Sequence, residues 1–532
     1  MTTDADETPA SSLTRLRSHA WFDPSVIGVL GVLISAIGMW RPSFWTDEVA
    51  SISSAQRSLG ELWSMMGNID AVHGMYYLFM HFYLDVVPAN DFTLRLPSAV
   101  AVGCAGAGVV VAGRMLRGPS VGVLAGVVFI ILPRVTWMGI EARSSAFVTA
   151  TVIWVSVVLL MAIRTNLRRW WVVYSLGMLL ALLLVVYAAL LLLAHALTLL
   201  WTYRASLRAN AGVWLSWLVS AVVAGVLALP FVLVVVGQSK QITASVPSLR
   251  GSFEMVVIHQ YFLGQLPGPQ TWLDKPMLTS TGWLVPALIL TGLSWLLVAL
   301  GMVRHRRTRS GDSVVSLYAL TVPWIVVPTL VVLAYSVTVD PIYNPRYLAF
   351  TVPAVAMLIG CGIAALPRRW IKITAVVLLI CCALPVYWSQ RGPTSKKGSD
   401  WAITAAILDA NATPGDVVIY TVIYGKKTAT TRKIAIGYPL PTITALRDIT
   451  ADKTGAQKNM VWGSSIPLKQ AMANVGDAQR IWVVMNTRIK QGGKLDHTTP
   501  VLTRYGYTLT RSWIGPDTSV YEFQKTPTPP SP

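Results

Sequence analysis

Charged residues are scarce in this chain of 532 residues: Asp, Glu, Lys and Arg make up 13% of it, whereas 54% is hydrophobic. A soluble protein carries about a quarter charged residues, so an ordinary globular enzyme and a disordered protein are both excluded. The mean hydropathy is +0.56, and the 21 Trp belong to a residue type enriched at membrane–water boundaries. The sequence predicts a polytopic α-helical membrane protein.

Cysteine is also rare. The four cysteines (Cys104, Cys361, Cys381 and Cys382) all lie in apolar runs, which excludes a disulfide framework and a zinc site of the Cys type. The sequence also contains neither a Gly-rich nucleotide-binding loop nor a cytoplasmic domain. Both absences argue against ATP or a nucleotide sugar as the immediate substrate.

The basic excess has an explanation in topology. Lys and Arg number 43 against 24 Asp and Glu, for a net charge of +19, a balance that can indicate a nucleic-acid partner. Here, however, basic residues gather in short segments between apolar runs. Short cytoplasmic loops are enriched in Lys and Arg, so we predict the bilayer as a partner and no nucleic acid.

Apolar runs of membrane-spanning length recur from Phe22 to Trp388, and we predict eleven spans. They cover 22–40, 93–116, 119–137, 144–163, 170–186, 188–203, 212–236, 281–303, 314–337, 347–366 and 370–388. Residues 1–21 form a predicted cytoplasmic tail. The first run lacks a basic start and a small-residue cleavage site, so we interpret it as an anchor and not as a cleaved signal peptide.

The apolar stretch 170–203 decides the topology, because it forms either one long helix or two joined by a tight turn. About 20 residues span a bilayer, so two helices fit its length better. With two helices and a cytoplasmic N-terminus, six basic groups lie inside: Arg15/Arg17, Arg114/Arg117, Arg164/Arg168/Arg169, Arg204/Arg208, Arg304/Arg306/Arg307/Arg309 and Arg368/Arg369/Lys372. The first outer loop, 41–92, and everything after Trp388 are then extracytoplasmic.

The segments outside the predicted membrane domain, 22–388, have distinct characters. Loop 41–92 carries apolar stripes at helical spacing, which favour short helices, and the prolines of loop 237–280 indicate irregular structure. Residues 389–525 have a soluble composition and form a predicted small α/β domain, with a disordered tail at 526–532. Within that domain we predict a helix, two buried strands and a closing hairpin, at Trp401–Leu408, Val417–Tyr420, Ile481–Val484, and Tyr507–Thr510 with Val520–Phe523.

An acidic pair follows the first span. Asp47 and Glu48 lie about seven residues beyond it, and acidic residues at membrane depth are costly unless they serve a site. A carboxylate there can accept a proton from an attacking hydroxyl. The alternative is that the pair caps a surface helix beginning near Val49, since carboxylates stabilise helix N-termini. Position alone favours neither interpretation.

A set of short motifs resembles the C-type (GT-C) glycosyltransferase superfamily, and within it the actinobacterial protein-mannosyltransferase-like branch. The motifs are Trp45-Thr-Asp-Glu48, His73-Gly-Met-Tyr-Tyr-Leu-Phe-Met-His81, Leu94-Arg-Leu-Pro-Ser98, Pro133-Arg-Val-Thr-Trp137, Glu141-Ala-Arg143, Asn344-Pro-Arg-Tyr-Leu348, and Asp400-Trp401 with Pro414-Gly-Asp416. Their order and spacing carry the resemblance, which is strongest over residues 40–150.

The resemblance implies an activity. Members of that superfamily transfer a sugar from a polyprenyl-phosphate donor to an acceptor outside the cytoplasm, and Asp47 matches their catalytic acidic residue, with Glu48 beside it. We therefore expect a hexosyltransferase, and specifically a mannosyltransferase, acting on an envelope glycan or glycolipid such as lipoarabinomannan. The alternatives are an arabinofuranosyltransferase using the analogous lipid donor and, in another class, a flippase or transporter of polyprenyl-linked sugars.

Arg346 is the predicted donor-phosphate ligand. It stands on the outer side at the start of a span, between Pro345 and Tyr347, where a guanidinium can grip a phosphodiester with two parallel hydrogen bonds. The alternative is an arginine at a helix end that extends toward the headgroups. Arg143 either faces the donor phosphate as well or pairs with Glu141 in a structural ion pair.

Further residues are predicted to bind substrate: His73, Tyr76, Tyr77, Glu141 and Tyr347. His73 either donates a hydrogen bond to the sugar or is an interfacial histidine, and the tyrosines either stack on substrate or anchor the chain in the interface. A metal at His73 is the least favoured option, because only His81 is near it, and no cofactor is predicted. The 389–525 domain is expected to bind the acceptor or to act as a scaffold.

Overall fold

The computed structural model describes residues 21–239, 249–264, 281–307, 314–421, 431–487 and 495–526. The described chain is mostly helical, with one sheet near its C-terminus. It folds as two compact units. The first unit comprises Met1–Met39, Arg95–Gln265 and Met277–Trp388, and the second comprises Trp40–Leu94, Leu266–Pro276 and Ser389–Pro532. The first outer loop therefore belongs to the same unit as the C-terminal domain, whereas our predicted domain boundaries placed it in the membrane domain.

Eight helices in the described part of the chain are long and apolar enough to cross a membrane. They are Leu96–Arg117, Ser145–Thr165, Val186–Tyr203, Ala211–Gly237, Gly282–Arg304, Leu317–Thr338, Pro345–Ala364 and Arg369–Ser389. Two shorter apolar helices, Phe22–Ala36 and Pro119–Ile131, occupy two further predicted spans. The eleventh predicted span contains Arg168–Leu184, so every predicted span holds a helix, and the count of eleven crossings stays a prediction.

The apolar stretch 170–203 forms two helices. Arg168–Leu184 ends where Val185 adopts an extended conformation, with φ −160° and ψ 126°. A 3₁₀ turn, Val186–Ala188, then leads into Ala189–Tyr203. A single extended residue removes the hydrogen-bonding pattern that a continuous helix needs. The prediction of two helices here is confirmed.

Small residues allow helices of the first unit to pack closely. A Cβ added at Gly362 would lie 2.0 Å from the carbonyl oxygen of Leu297, and one added at Gly103 would lie 2.5 Å from that of Gly28. In membranes, helix association depends on such close backbone approach, because lipid tails are as apolar as the side chains. Any larger side chain at these two glycines would therefore force the helices apart.

A polar cluster connects four helices of the first unit around His195, which is fully buried. Trp217 donates from Nε1 to the hydroxyl of Tyr174 at 3.2 Å, and that hydroxyl lies 2.9 Å from Nδ1 of His195. Nε2 of His195 is 3.3 Å from the hydroxyl of Ser156, which itself donates to the Val152 carbonyl. Every group is satisfied when the imidazole is neutral and carries its hydrogen on Nε2. The cluster therefore stabilises helix packing.

The C-terminal domain is built on a five-stranded sheet. Its strands are β1 (Val417–Tyr420), β2 (Arg447–Asp448), β3 (Arg480–Asn486), β4 (Tyr507–Ile514) and β5 (Thr518–Lys525). Their order across the sheet is β2-β1-β3-β5-β4. β2, β1 and β3 are parallel, whereas β3, β5 and β4 are antiparallel. The predicted helix, two buried strands and closing hairpin all occur, the helix as Trp401–Asn411. Residues 527–532 of the predicted disordered tail lie outside the described residues.

Four short helices accompany this sheet in the described part of the C-terminal domain. They are Lys433–Gly437, Pro441–Ala445, Leu468–Ala471 and Leu495–Arg504. The core beneath them includes Ile419, Ile481, Val483 and Phe523, each at most 2% exposed. Alternate residues of the central strands thus supply the apolar layer that stabilises the domain.

Two acidic residues of the recognised motifs stabilise this domain. Asp416 accepts hydrogen bonds from the backbone N–H of Thr413 at 2.9 Å, from Nε1 of Trp482 at 2.9 Å and from Nε of Arg480 at 3.1 Å. The carboxylate of Asp400 accepts two backbone N–H bonds at 3.1 Å from the turn that joins β4 to β5. Buried carboxylates need such partners, so these motif residues have structural roles.

Three helices form the first outer loop: Thr46–Ala55, Leu59–Asn68 and Gly74–Val86. Ser58 and Glu61 begin the second helix with a reciprocal capping box, which satisfies two N–H groups that the helix leaves open. This helix buries Leu62 and Met65 and exposes Trp63 by 76%. The predicted short helices occur, but the predicted apolar stripe of Val49, Ile52, Leu59, Trp63 and Met66 is divided: Val49 and Ile52 are buried, whereas Leu59 and Trp63 are exposed.

Candidate functional site

The predicted site residues are divided between the two units. Asp47, Glu48, His73, Tyr76 and Tyr77 belong to the second unit. Glu141, Arg143, Arg346 and Tyr347 belong to the first unit. The acidic candidates of the first outer loop thus lie in one unit, and the cationic candidates lie in the other.

Asp47 and Glu48 lie in the first turn of the helix Thr46–Ala55, which we call the acidic helix. It begins after Trp45, whose backbone is extended with φ −127° and ψ 174°. The positive end of the helix dipole favours carboxylates at this position. Glu48 is fully buried, whereas Asp47 is half-buried. Asp47 therefore has the access that a base needs, and the burial of Glu48 suits a supporting role.

The start of the acidic helix is fixed by the C-terminal domain. The hydroxyl of Tyr438 accepts the N–H of Phe44 at 2.8 Å and donates to Asp91 at 2.9 Å. Its ring also packs against that of Phe44, with centroids 5.1 Å apart. Ser399 donates to the Phe44 carbonyl at 2.6 Å. The N–H of Ser43 donates to the carbonyl of Pro393 at 2.9 Å. The backbone that leads into Asp47 is thus held on several sides.

The ammonium group of Lys397 lies over the aromatic ring of Trp45, two residues before Asp47. Nζ of Lys397 lies 4.5 Å from the ring centroid of Trp45, which is 3% exposed. Such a cation–π contact contributes about 0.5–1 kcal/mol at an exposed site. Lys397 itself has φ +53°, a conformation that non-glycine residues adopt rarely. The contact brings a positive charge to the segment that precedes the acidic pair.

The far end of the acidic helix is anchored as well. Arg57 donates from Nη2 to the carbonyls of Met460 at 2.5 Å and Val461 at 3.2 Å. Ser53 donates to the same Val461 carbonyl at 3.1 Å. Burial lowers the pKa of Arg57, an effect that the charge of Glu61 opposes. Both ends of the helix that carries Asp47 are therefore attached to residues more than 300 positions away.

Tyr438→Phe is expected to loosen the start of the acidic helix. The substitution keeps the ring but removes the acceptor for the Phe44 N–H and the donor to Asp91, and one hydrogen bond contributes about 1 kcal/mol net. Amide hydrogen exchange over residues 43–48 should accelerate roughly fivefold. Tyr505→Phe, at a tyrosine 49% exposed, is the matched control. Equal exchange in the two variants would contradict the anchoring role.

The histidine and tyrosines of the first loop lie around its third helix. Tyr76 and Tyr77 are buried, and the Tyr77 hydroxyl donates to Asp70 at 3.1 Å. His73 is half-buried, with its ring centroid 5.9 Å from that of Tyr77. His81 lies 2.9 Å from the Ala55 carbonyl through Nδ1, which joins this helix to the end of the acidic helix. Substrate binding by His73, Tyr76 and Tyr77 stays a prediction.

Glu141 and Arg143 share one tight turn in the first unit. The carbonyl of Glu141 accepts the hydroxyl of Ser98 at 2.7 Å and the N–H of Arg143 at 2.9 Å. Glu141 is 2% exposed, and among the described residues its Oε1 has no hydrogen-bond partner. Burying a carboxylate oxygen without a hydrogen-bond partner costs folding free energy. The side chain of Glu141 therefore has capacity for a ligand.

Arg346 lies in a 3₁₀ helix, Pro345–Thr351, which we call the Arg346 segment. Asn344 caps it by accepting the Arg346 N–H at 3.2 Å. The half-buried guanidinium lies over the ring of Tyr347, 5.2 Å from its centroid. Tyr347 in turn stacks on Tyr187, with centroids 5.8 Å apart and an interplanar angle of 20°. The contact with Tyr347, whose ring is itself stacked on Tyr187, orients the guanidinium.

Sequence reasoning gave no role to several residues beside this segment. Arg134, although part of a recognised motif, is buried and donates to the carbonyls of His259 at 2.5 Å, Gln260 at 3.2 Å and Gly264 at 3.2 Å. The charges of Glu141 and Arg346 both act on Arg134. Arg134, Glu141 and Arg346 thus belong to one charged region of the first unit. The missed signal was the arginine inside an otherwise apolar run.

Among the residues that the structure describes, no group of three or more His, Cys, Asp or Glu side chains is placed to hold a metal ion. Asp47, Glu48 and Glu141 are the acidic candidates of the predicted site. A carboxylate can take part in proton transfer and in hydrogen bonding.

Comparisons with known proteins define the fold. No protein-family model and no curated protein sequence matches the chain. The structure is similar to the crystal structure of ArnT from Cupriavidus metallidurans bound to undecaprenyl phosphate, with a TM-score of 0.56, 12% identity and coverage of 97% of this chain and 98% of that one. The apo state of the same protein gives a TM-score of 0.53 at 11% identity, with the same coverage. The archaeal oligosaccharyltransferase AglB from Archaeoglobus fulgidus gives 0.44 at 11% identity, over 93% of this chain and 74% of that one.

The shared architecture extends over nearly the whole chain. The predicted fold class, a polytopic α-helical membrane protein of the C-type glycosyltransferase fold with a small C-terminal α/β domain, is confirmed. Identities near 12% relate the folds and leave the site residues to be argued from this chain alone.

Proposed function

We propose that this protein is an integral-membrane glycosyltransferase that uses a polyprenyl-phosphate sugar as its donor. The observation that carries the proposal is the fold, which the chain shares over 97% of its length with a protein crystallised with undecaprenyl phosphate. The half-buried Asp47 at the start of the acidic helix and the oriented guanidinium of Arg346 supply a base and a phosphate ligand. Fold alone does not define chemistry, so these two side chains are the specific support.

The proposed reaction is a direct displacement. The acceptor hydroxyl attacks the anomeric carbon of the donor sugar, and Asp47 takes the proton of that hydroxyl. The bond between the anomeric carbon and the phosphate oxygen breaks, and polyprenyl phosphate leaves with the electron pair. Arg346 stabilises the added charge on the leaving phosphate. A single displacement inverts the anomeric centre, so a β-linked donor yields an α-linked product.

The proposed sugar is a hexose, and specifically mannose, because the motifs around Asp47, His73 and Glu141 resemble the protein-mannosyltransferase-like branch. The proposed acceptor is an envelope glycan or glycolipid, lipoarabinomannan among them. His73, Tyr76, Tyr77 and Glu141 would bind the two substrates, and Arg143 would assist Arg346. Tyrosine side chains suit carbohydrate, because each combines an apolar ring face with a polar hydroxyl.

The test is a transfer assay with purified protein in detergent. Polyprenyl-phosphomannose and candidate glycan acceptors are incubated with the protein, and products are analysed by mass spectrometry and NMR. The proposal expects an α-mannosylated acceptor. If the protein transfers arabinofuranose from the analogous lipid donor and does not transfer mannose, it is an arabinofuranosyltransferase. Absence of any glycoside in detergent, together with movement of lipid-linked sugar across proteoliposomes, would favour a flippase and overturn the proposal.

The orientation in the membrane is a prediction with its own test. Six basic groups in short loops favour a cytoplasmic N-terminus, with the acidic helix and residues 389–532 outside. A reporter that is active only outside the cytoplasm, fused after Trp388, should therefore be active. The same reporter fused after Arg307, within a basic segment, should be inactive. The reverse pattern would place the proposed site in the cytoplasm and contradict the topology.

A further inference from the structure

One buried amide contacts both ends of the Arg346 segment. Gln260 lies in the π-helical segment Met255–Leu263 and is fully buried. Its Oε1 accepts the hydroxyl of Tyr343 at 2.7 Å, just before the segment. Its Nε2 lies 3.2 Å from the hydroxyl oxygen of Thr351, the last residue of the segment. The side chain therefore bridges the two ends of the turn that carries Arg346.

The polarity of an amide suits this bridge. A carboxamide presents an acceptor and two donor hydrogens a fixed distance apart, so it holds Tyr343 and Thr351 in a defined relation. The hydroxyl of Tyr343 is protonated at neutral pH and donates to the amide oxygen of Gln260, and burial raises its pKa further. Thr351 donates its own hydrogen to the Leu348 carbonyl at 2.7 Å and so can accept from Gln260. The amide carries no charge that would compete for the Arg346 guanidinium.

Gln260 is itself held in place. Arg134 donates from Nε to the Gln260 carbonyl at 3.2 Å and from Nη2 to the preceding carbonyl at 2.5 Å. The amide nitrogen also lies 2.8 Å from the Tyr261 hydroxyl and 3.0 Å from that of Thr329, so its two hydrogens are shared among three hydroxyl groups, that of Thr351 included. Cations at the end of a helix stabilise its exposed carbonyls. A π-helical segment, a conformation often found at functional sites, is thus fixed against the Arg346 segment.

We propose that Gln260 is a positioning residue for donor binding: by bridging Tyr343 and Thr351, it holds the Arg346 segment in the conformation that presents the guanidinium to the donor phosphate. The inference rests on the proposed function, in which Arg346 binds that phosphate. A displaced guanidinium loses part of its charge-assisted contact with the phosphate, and that contact contributes to binding. Loss of the bridge should therefore affect donor use and leave acceptor use unchanged.

Gln260→Met tests the proposal, because methionine has a similar length and removes the bridging hydrogen bonds. We expect KM for the polyprenyl-phosphate donor to rise about tenfold, because part of a charge-assisted contact is lost, with kcat and KM for the acceptor within twofold. Thr321→Val is the matched control: it removes a buried hydroxyl from a membrane helix, Leu317–Thr338, whose hydrogen bond goes to the Leu317 carbonyl and not to Gln260. The control should leave the donor KM unchanged. An equal donor KM in the two variants overturns the proposal.

Two further variants separate this inference from the proposed function. If Gln260 acts through Arg346, Gln260→Met adds nothing to the donor KM in an Arg346→Ala background, and full additivity overturns the proposal. If Arg346→Ala alone leaves donor affinity unchanged, the proposed phosphate site fails instead. Should Gln260→Met not fold, as judged by thermal unfolding in detergent, Tyr343→Phe and Thr351→Val each break one arm of the bridge. Both should raise the donor KM. The proposal is overturned if neither variant does so.

Discussion

The Asp47→Asn protein is expected to lose turnover by about 10²–10⁴-fold, the usual contribution of a general base, while it keeps its fold and its affinity for the lipid donor. Asparagine preserves the shape and most hydrogen bonding of aspartate but cannot accept the proton of the acceptor hydroxyl. The half-buried position of Asp47 in the first helical turn gives an acceptor access to it. Single-turnover kinetics with a defined acceptor, beside a donor-binding measurement, would check this expectation.

Glu48→Gln is the matched control, since it makes the same chemical change at the neighbouring position. Glu48 is fully buried, so we expect a smaller loss of turnover and a lower midpoint of thermal unfolding. Removing one member of a buried polar arrangement leaves its partners unsatisfied. Near-normal turnover in the Asp47→Asn protein would move the search for the base to Glu48 and then to Glu141.

The predictable parts of the fold are those that local patterns determine. Each apolar run of about 20 residues contains a helix, because backbone groups in lipid must be satisfied within the segment. The division of 170–203 followed from its length and from the placement of basic residues in the loops, and the structure places it at the single extended residue Val185. The strand Val417–Tyr420 was predicted to the residue, because a short apolar run between turn signals is typical of a buried strand.

The grouping of the first outer loop with the C-terminal domain was not predictable in this way. It depends on contacts such as that of Phe44 with Tyr438, 394 positions apart in the sequence, and on Arg57 with the carbonyls of Met460 and Val461. Backbone carbonyls have no sequence signature, and a tyrosine in a soluble segment has many possible partners. The anchoring of the acidic helix is therefore a tertiary property.

The second outer loop shows a similar limit for the candidate site. Its prolines indicated irregular structure, yet residues 249–263 are helical, whereas all four of the prolines lie outside the described residues. That prediction gave no role to Gln260, which bridges the Arg346 segment. Tyr187 was likewise assigned only to an apolar run, although it stacks on Tyr347. Arg346 itself was recognisable in the sequence because it is the one basic residue between the apolar runs 314–337 and 347–366.

Arg346→Ala is expected to weaken binding of the lipid donor by roughly 10- to 150-fold, which corresponds to the 1.5–3 kcal/mol of a hydrogen bond to a charged group. The guanidinium is held over Tyr347 and is half-buried, so its contact with phosphate is less screened by salt than a fully exposed one. Acceptor affinity should change little, because the lost charge acts on the phosphate. Equilibrium binding of polyprenyl phosphate in detergent, with and without the sugar, measures the effect directly.

Arg346→Lys separates charge from geometry. Lysine keeps the positive charge but loses the planar fork that grips two oxygens, so we expect donor affinity between those of the native protein and Arg346→Ala. Arg369→Ala, at an arginine in a predicted cytoplasmic segment, controls for general loss of positive charge and should bind donor normally. If Arg346→Ala also bound the donor normally, Arg346 would be an interfacial anchor, and Arg143 would become the next candidate for the phosphate. An intermediate affinity for the lysine variant would instead assign the bidentate grip to Arg346, because charge alone would then account for only part of the binding.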